Sequence, residues 1–351
     1  MEAKIRLDTL IRKSRADLYK PIAVAEILYR HRLENLDVLS INNYRRKSYE
    51  WMREVIWKLH RKMTSLNSRY WDQLFDKEVL PPERIAELAS FNSQNGGVVE
   101  VYIYAHVQEK YRAFSELRQT LEHLPLETFS LDTFLDFFED NAKFRGSMDK
   151  AYEISVYALF NSVVEELEAT VTLSIDKAKK SIIQEFEDFT RLVLGIDTNH
   201  FSIEKPARLF RVGTANANNA GLDMWANFGP AVQVKHLSLN PQDALGICNA
   251  VRADQVIVVC KTCEAEQIQH IFEQLGIDEK LRGIITKSDL KRWYEKCFQL
   301  QYRETLGRKT LLAIVDEMKL EFPLAISESF ELFYDERNYH DSILKGNWTV
   351  K

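Results

Sequence analysis

The sequence predicts an α/β fold: a central mixed sheet flanked by helices over residues 145–300, joined to a largely helical N-terminal region. Three observations predict it. Residues 255–260 (QVIVVC) are almost wholly apolar, the pattern of a strand buried on both faces. Residues 231–237 and 281–286 are further segments of strand length, and helical patterns at 241–251 and 265–275 separate the three. Before residue 140 the apolar residues fall instead into helical runs.

Taken in order, Ile5, Leu7, Leu10 and Ile11 begin an amphipathic helix, and Pro21 interrupts it or opens the next, apolar from 22 to 29. Residues 44–70 are crowded with Arg, Lys and aromatic residues. Pro81-Pro82 marks a break before a short helix over 83–88, and residues 92–97 end in a turn, Asn95-Gly96-Gly97. A helix is expected over 99–123. Residues 121–140 carry six acids and no Lys or Arg among Leu and Phe, an acid-faced amphipathic helix. A soft domain boundary is placed between about 125 and 145. Beyond it come a long helix at 148–167, a strand at 170–175 (TVTLSI), an amphipathic helix at 177–194 and a short strand at 208–212. An Asn/Gly-rich loop occupies 214–221, and Ser288 caps or begins a helix after the last strand. The resulting division is 1–140 as a mainly helical N-terminal region, 145–300 as the α/β core, and 301–351 as a mainly helical region packed on that core.

Composition removes several classes. With 351 residues, 45% hydrophobic, 28% charged, 12 Gly and 8 Pro, the chain is neither collagen-like nor mucin-like nor wholly disordered. No run of eighteen apolar residues exists, so no membrane span is expected, and the charged first thirty residues predict no secretory leader. Four irregularly spaced Cys suit a reducing compartment, and the cytoplasm is the expected location. The net charge of −5 is uneven: residues 1–70 hold 16 Lys/Arg against 8 Asp/Glu, and the rest of the chain 31 against 44. A local basic face permits a nucleic-acid partner that the overall charge does not announce.

The segment 221–239 (GLDMWANFGPAVQVKHLSL) carries the candidate chemistry. Gln233 and Lys235 are two apart on a strand and share a face. Asp223 lies ten residues before Gln233, enough to return along a hairpin. A carboxylate, an amide oxygen and an ammonium at one sheet edge is what phosphodiester hydrolysis asks for: oxygen ligands for a hard divalent cation, and a positive charge beside the phosphate oxygens. Spacing alone leaves open that Lys235 snorkels from a sheet edge and that Gln233 is an ordinary polar residue. Glu153, on the long helix, is either a second carboxylate or a solvated residue near a helix start.

The order of elements resembles the PD-(D/E)xK nuclease fold, and the chain more closely resembles the HaeII type of type II restriction endonucleases. The stretches that carry the resemblance are 18–29 (LYKPIAVAEILY), 152–160 (YEISVYALF), 221–239, 254–261 (DQVIVVCK) and 293–296 (WYEK), so that it covers nearly the whole chain. It implies Mg²⁺-dependent double-strand cleavage at a short GC-rich palindrome with degenerate outer bases. It also implies a cognate DNA methyltransferase as a genetic partner, without a stable complex. Carried onto this sequence, the metal-binding Asp is Asp223, the second acidic position is Gln233, the catalytic lysine is Lys235 and the helix-borne acid is Glu153. Two departures stand out. Gln replaces Asp or Glu at 233, which puts metal stoichiometry in doubt, and Leu222 stands where the motif has Pro.

Other positions remain open. Asn216, Asn218 and Asn219 suit base edges or simply a turn. His236 points away from Lys235 by alternation, whereas Ser238 returns to its face and is a candidate phosphate contact. Arg45, Arg46, Lys47, Arg53, Arg61 and Lys62 are candidate phosphate contacts that give affinity and salt dependence rather than sequence choice. Cys260 and Cys263 have no second pair, so a four-cysteine zinc site is excluded. No phosphate-binding loop of ATPases and no dinucleotide fingerprint is present. A palindromic target in double-stranded DNA asks for a homodimer. Two rivals keep the fold: a repair or mobile-element nuclease, and a catalytically silent DNA-binding module.

Overall fold

The computed structural model describes residues 2–14, 17–60, 71–141, 144–212, 222–235, 254–262, 278–322, 327–339 and 348–349, with 238, 240, 242, 245, 246, 266, 269, 270 and 273 between them. The chain divides into two compact units. One comprises Met1–Ser155, Gly213–Asn219 and Leu311–Lys351; the other comprises Val156–Val212 and Ala220–Thr310.

The first unit is helical. Its helices before the second unit are α1 (Glu2–Lys13), α2 (Tyr19–Glu34), α3 (Lys47–His60), α4 (Pro82–Gln94), α5 (Val98–Glu122), α6 (Leu131–Asp140) and the start of α7 (Met148–Glu166). The expected helices are present, but α4 runs six residues past its expected end because Ala89 and Asn92 continue its buried face, and of the acidic stretch 121–140 only Leu131–Asp140 forms α6, capped by Ser130. Helix α2 is buried along most of its length, from Tyr19 to Leu28, and forms the centre of the unit. The C-terminal chain joins this unit, not the sheet-bearing one: Phe330, Phe333, Tyr339 and Trp348 belong to the same apolar core as α2.

Buried charges in this core are paired, as desolvation demands. Glu100, fully buried, accepts from Arg32 Nε and Nη2 at 2.9 and 2.8 Å, from Asn92 Nδ2, and from the Tyr339 hydroxyl at 2.7 Å. Glu26 accepts from Tyr104 at 2.6 Å and from Arg337 at 3.0 Å. Gly146 has no room for a side chain, since a Cβ there would meet the Ser14 carbonyl oxygen at 2.7 Å. That carbonyl also accepts from Lys110 Nζ at 2.9 Å.

Burial pushes the Lys110 ammonium down to about 8, with Asp17 opposing the shift. Between that value and the ordinary lysine range the unfolded chain binds more protons than the folded one, so stability rises with pH. Across pH 8 to 10 the wild-type protein should therefore gain roughly 2–3 kcal/mol on a Lys110→Met variant. Melting temperatures of both proteins across that range check it; parallel curves would mean that Lys110 is not desolvated in solution.

Among its described residues the second unit holds two sheets. β1 (Thr170–Ser174) and β2 (Ser202–Pro206) form an isolated antiparallel pair. A five-stranded mixed sheet runs in the order β3 (Leu209–Arg211), β4 (Met224–Ala226), β5 (Ala231–Lys235), β6 (Val256–Cys260), β7 (Leu281–Thr286). β3, β4 and β5 are antiparallel, and β5, β6 and β7 are parallel. The short turn over 227–230 fits the first case, and the long connections fit the second. β6 is buried because Val256, Val258, Val259 and Cys260 lie at the centre of the sheet.

The sequence-predicted strand at 170–175 exists, but it lies outside the central sheet. The expected single helix at 177–194 is broken into short turns: Lys180–Glu185 (α8), one turn at Glu187–Phe189, and a wider π-type turn at Thr190–Leu194. The break falls at Phe186, whose backbone is not helical. After β7 comes α9 (Lys287–Cys297), started by Thr286 and Asp289 in a reciprocal capping box, so the N-cap is Thr286 and not Ser288. The chain then returns to the helical unit, which holds most of α10 (Arg308–Glu321) and all of α11 (Ser327–Arg337). No helix among the described residues is long and apolar enough to cross a membrane.

Candidate active site

β4 and β5 are joined by a tight turn, and their register sets Met224 opposite Val232 and Trp225 opposite Ala231. One step further, Asp223 faces Gln233, and its amide donates to the Val232 carbonyl at 3.2 Å. The hairpin therefore closes the ten-residue gap between the two side chains. Gln233 Nε2 donates to Asp223 Oδ2 at 2.5 Å, and the backbone N–H of Val234 donates to the same oxygen at 2.7 Å. Because a carboxylate only accepts, the amide nitrogen must be the end that faces it. The Gln233 oxygen is then turned away from Asp223.

Gln233 is buried, at 3% exposure, while Asp223 is half-buried and Lys235 is exposed. Alternation places Asp223, Gln233 and Lys235 on one face of the sheet and Val232 and Val234 on the other. Lys235 closes β5 beside Cys260, the last residue of β6. The Ser238 hydroxyl sits 2.7 Å from that of Thr262, just past the end of β6. Lys235 and Ser238 thus gather at the carboxyl ends of parallel strands, where open α/β sheets leave room for ligands.

The donor set fits a hard cation that keeps much of its water shell. Asp223 would supply one charge; the Gln233 oxygen, turned away from Asp223 by the amide's hydrogen bond, would join it only after the amide rotates, and Mg²⁺ would complete such a sparse set with water and phosphate oxygens. Among the described residues no three of His, Cys, Asp and Glu come together as a metal cage. Asp289, at the end of β7, is engaged by the Thr286 backbone and hydroxyl and by Arg292, which hold its carboxyl below the ordinary range.

The other sequence-predicted positions are spread more widely. Glu153 is buried in the helical unit and paired with Lys150 at 2.5 Å. Arg45 and Asp72 form an exposed ion pair at 2.6 Å, while Arg46 and Lys47 are exposed. Arg53 is half-buried, with its guanidinium 5.7 Å from the centre of the Tyr49 ring. Arg61, Lys62, Asn216, Asn218, Asn219 and His236 lie outside the described residues.

A family model for the HaeII restriction endonuclease matches residues 3–339. The chain belongs to the HaeII restriction endonuclease family. Membership makes it an enzyme, a nuclease. It is 37% identical over 342 residues to the type II restriction enzyme HaeII of Haemophilus aegyptius, covering 97% of each chain. It is 38% identical over 341 residues to the type II restriction enzyme NgoBI of Neisseria gonorrhoeae, covering 96% of each. No solved structure matches this HaeII-family chain.

Sequence reasoning passed over one feature of the HaeII-family hairpin. Trp225, two residues past Asp223 and on its face, stacks on Phe210 of β3 at 4.3 Å between ring centres, 18° apart. Both remain exposed, at 44% and 37%. The signal was the same two-residue spacing that linked Gln233 to Lys235, applied to β4.

Proposed function

We propose that the protein is a type II site-specific deoxyribonuclease that makes Mg²⁺-dependent double-strand breaks in DNA at a short GC-rich palindrome. It would act as a homodimer in the cytoplasm, with a cognate methyltransferase as genetic partner and no stable complex between them. The observation that carries this reading is the Asp223–Gln233 hydrogen bond on one hairpin with Lys235 on the same sheet face, in a chain of the HaeII family. Asp223 and the oxygen of Gln233 would hold the cation, which neutralises developing charge and lowers the pKa of bound water. The Val234 N–H and the Gln233 amide fix the Asp223 carboxylate before substrate arrives. The Lys235 ammonium would stabilise the non-bridging phosphate oxygens. Water adds to phosphorus in line with the 3′-oxygen. The P–O3′ bond breaks, its electrons pass to that oxygen, a proton follows, and 5′-phosphate and 3′-hydroxyl ends remain. Glu153 is the proposed helix-borne acid of this site, and Ser238 a proposed phosphate contact.

Digestion of a DNA of known sequence with Mg²⁺, followed by run-off mapping of both strands, tests the reading. Discrete double-strand cuts at one repeated palindrome are expected. Random nicking would favour a repair-type nuclease, and binding without cutting a silent module.

The helical unit would grip the duplex through Arg45, Arg46, Lys47 and Arg53, with Arg61 and Lys62 beyond them. Asn216, Asn218 and Asn219 are the proposed base contacts. Substituting Arg45, Arg46 and Lys47 with Gln should weaken cognate and random DNA by similar factors. The slope of log K against log salt should fall by up to ~1 per lost phosphate contact. Arg45 should contribute least, since Asp72 already neutralises it. Titrations over a salt series check this; a loss confined to cognate DNA would make the stretch a base reader.

A further inference from the structure

The segment after β1 exposes a cluster of apolar side chains that no described residue of its unit covers. Ile182, Phe186, Phe189 and Val193 recur at intervals of four, three and four residues and are 52%, 55%, 56% and 63% exposed; Leu192 beside them is 85% exposed. The segment is anchored by other side chains, since Ile183 and Thr190 are buried and Ile196 closes it at 0%. Five large apolar side chains on so short a stretch expose on the order of 500 Å², most of the ~800 Å² that each partner of a standard interface buries. The elements that carry it, a two-stranded sheet and a broken helix, are of a size that seldom stands alone in water.

The charges around this face indicate what covers it. Lys177, Lys179 and Lys180 open the segment and Glu185, Glu187 and Asp188 follow; Glu187 is paired with Arg191 of its own chain at 2.7 Å, so the acids that would meet a partner are Glu185 and Asp188. A basic start followed by an acidic middle is self-complementary when two copies run antiparallel, and self-repelling when they run parallel. A two-fold axis perpendicular to the segment supplies the antiparallel case, with the same patch on both subunits. Nucleic acid suits the segment poorly, because three carboxylates flank its aromatic residues.

We propose that residues 177–193 are the subunit interface of a homodimer. Phe186 and Phe189 lie at its centre, and the Lys177–Lys180 end of each copy faces Glu185–Asp188 of the other. The proposal gives a location to the dimer in the functional reading above. It rests on that reading only for why a dimer is needed, because its test measures mass rather than cleavage.

Sedimentation velocity of the full chain, from 0.1 µM upward on the order of 100-fold in concentration, is the test. The wild type should be a dimer, and Phe186→Lys/Phe189→Lys should sediment as a folded monomer. If that variant loses its circular dichroism, Leu192→Glu, at the most exposed position, carries the same test with an expected tenfold or greater weakening. Lys179→Glu/Lys180→Glu should weaken the dimer, and adding Glu185→Lys/Asp188→Lys should restore it. A monomeric wild type overturns the proposal, and so does a variant that stays dimeric. Absence of rescue by the charge reversal overturns the antiparallel arrangement. Loss of cutting by an Asp223 variant that remains dimeric keeps this question separate from the assignment of the active site.

Discussion

Replacing Lys235 with alanine is expected to slow single-turnover cleavage by about 10²–10³-fold or more while leaving cognate binding in Ca²⁺ little changed. The side chain is exposed at the end of β5, so its removal opens no cavity and leaves no buried partner unpaired. Ground-state affinity is spread over many phosphate contacts, and one lost ammonium is a small part of it. The transition state differs, since charge grows on the non-bridging oxygens where no other group of this hairpin carries positive charge. Lys235→Arg keeps the charge but spreads it over a planar fork that cannot occupy the same point, so partial activity is expected. Rapid-quench rates in Mg²⁺ and gel shifts in Ca²⁺ check both variants. An alanine variant that cuts at a near wild-type rate would remove Lys235 from the site.

How far the sequence reaches is visible on this one hairpin. Alternation placed Gln233 and Lys235 on a shared face because strand periodicity is a local property of the chain. The strand β6 was legible for the same reason, as an apolar run with few alternatives. The orientation of the Gln233 amide was not legible, because it depends on which atom a partner ten residues away presents. Nor was the separation of β1 and β2 from the main sheet, since a β-branched segment does not encode its pairing partner. Segment 177–194 reads as one amphipathic helix because its apolar spacing is helical. Its break at Phe186, and the fact that the apolar stripe faces outward, are tertiary facts. The affiliation of residues 311–351 with the N-terminal helices depends on contacts such as Tyr339 with Glu100, 239 residues apart, which no window of sequence contains.

The Asp223–Gln233 pair should respond to charge and hydrogen bonding in separable ways. Asp223→Asn keeps an acceptor for the Val234 N–H and the Gln233 amide, so the hairpin should fold as before. It removes the site's one formal negative charge on this hairpin, and cleavage should fall by at least ~10³-fold with weakened divalent-metal binding. Gln233→Ala removes the donor that fixes Asp223 and the second oxygen together; a loss of at least ~10-fold is expected. Gln233→Glu is the more telling change. A carboxyl at this buried position, against Asp223, has its pKa raised by desolvation and by like charge. While protonated it donates to Asp223 as the amide does, so the metal-free variant should match wild type at acid pH. As pH rises from the ordinary glutamate range through the raised value, that stability is lost. The melting temperature of metal-free Gln233→Glu should therefore fall away from wild type between pH 5 and 8, and Ca²⁺ should close the gap. In cleavage it should need less Mg²⁺ for half-maximal rate yet reach a lower maximum, because the extra charge repels the scissile phosphate. Calorimetric metal titration, melting curves and single-turnover rates over a Mg²⁺ series decide it. An alanine variant equal to wild type at every Mg²⁺ concentration would place Gln233 outside the metal site, leaving its role as the fixed partner of Asp223 to be judged from Asp223→Asn alone.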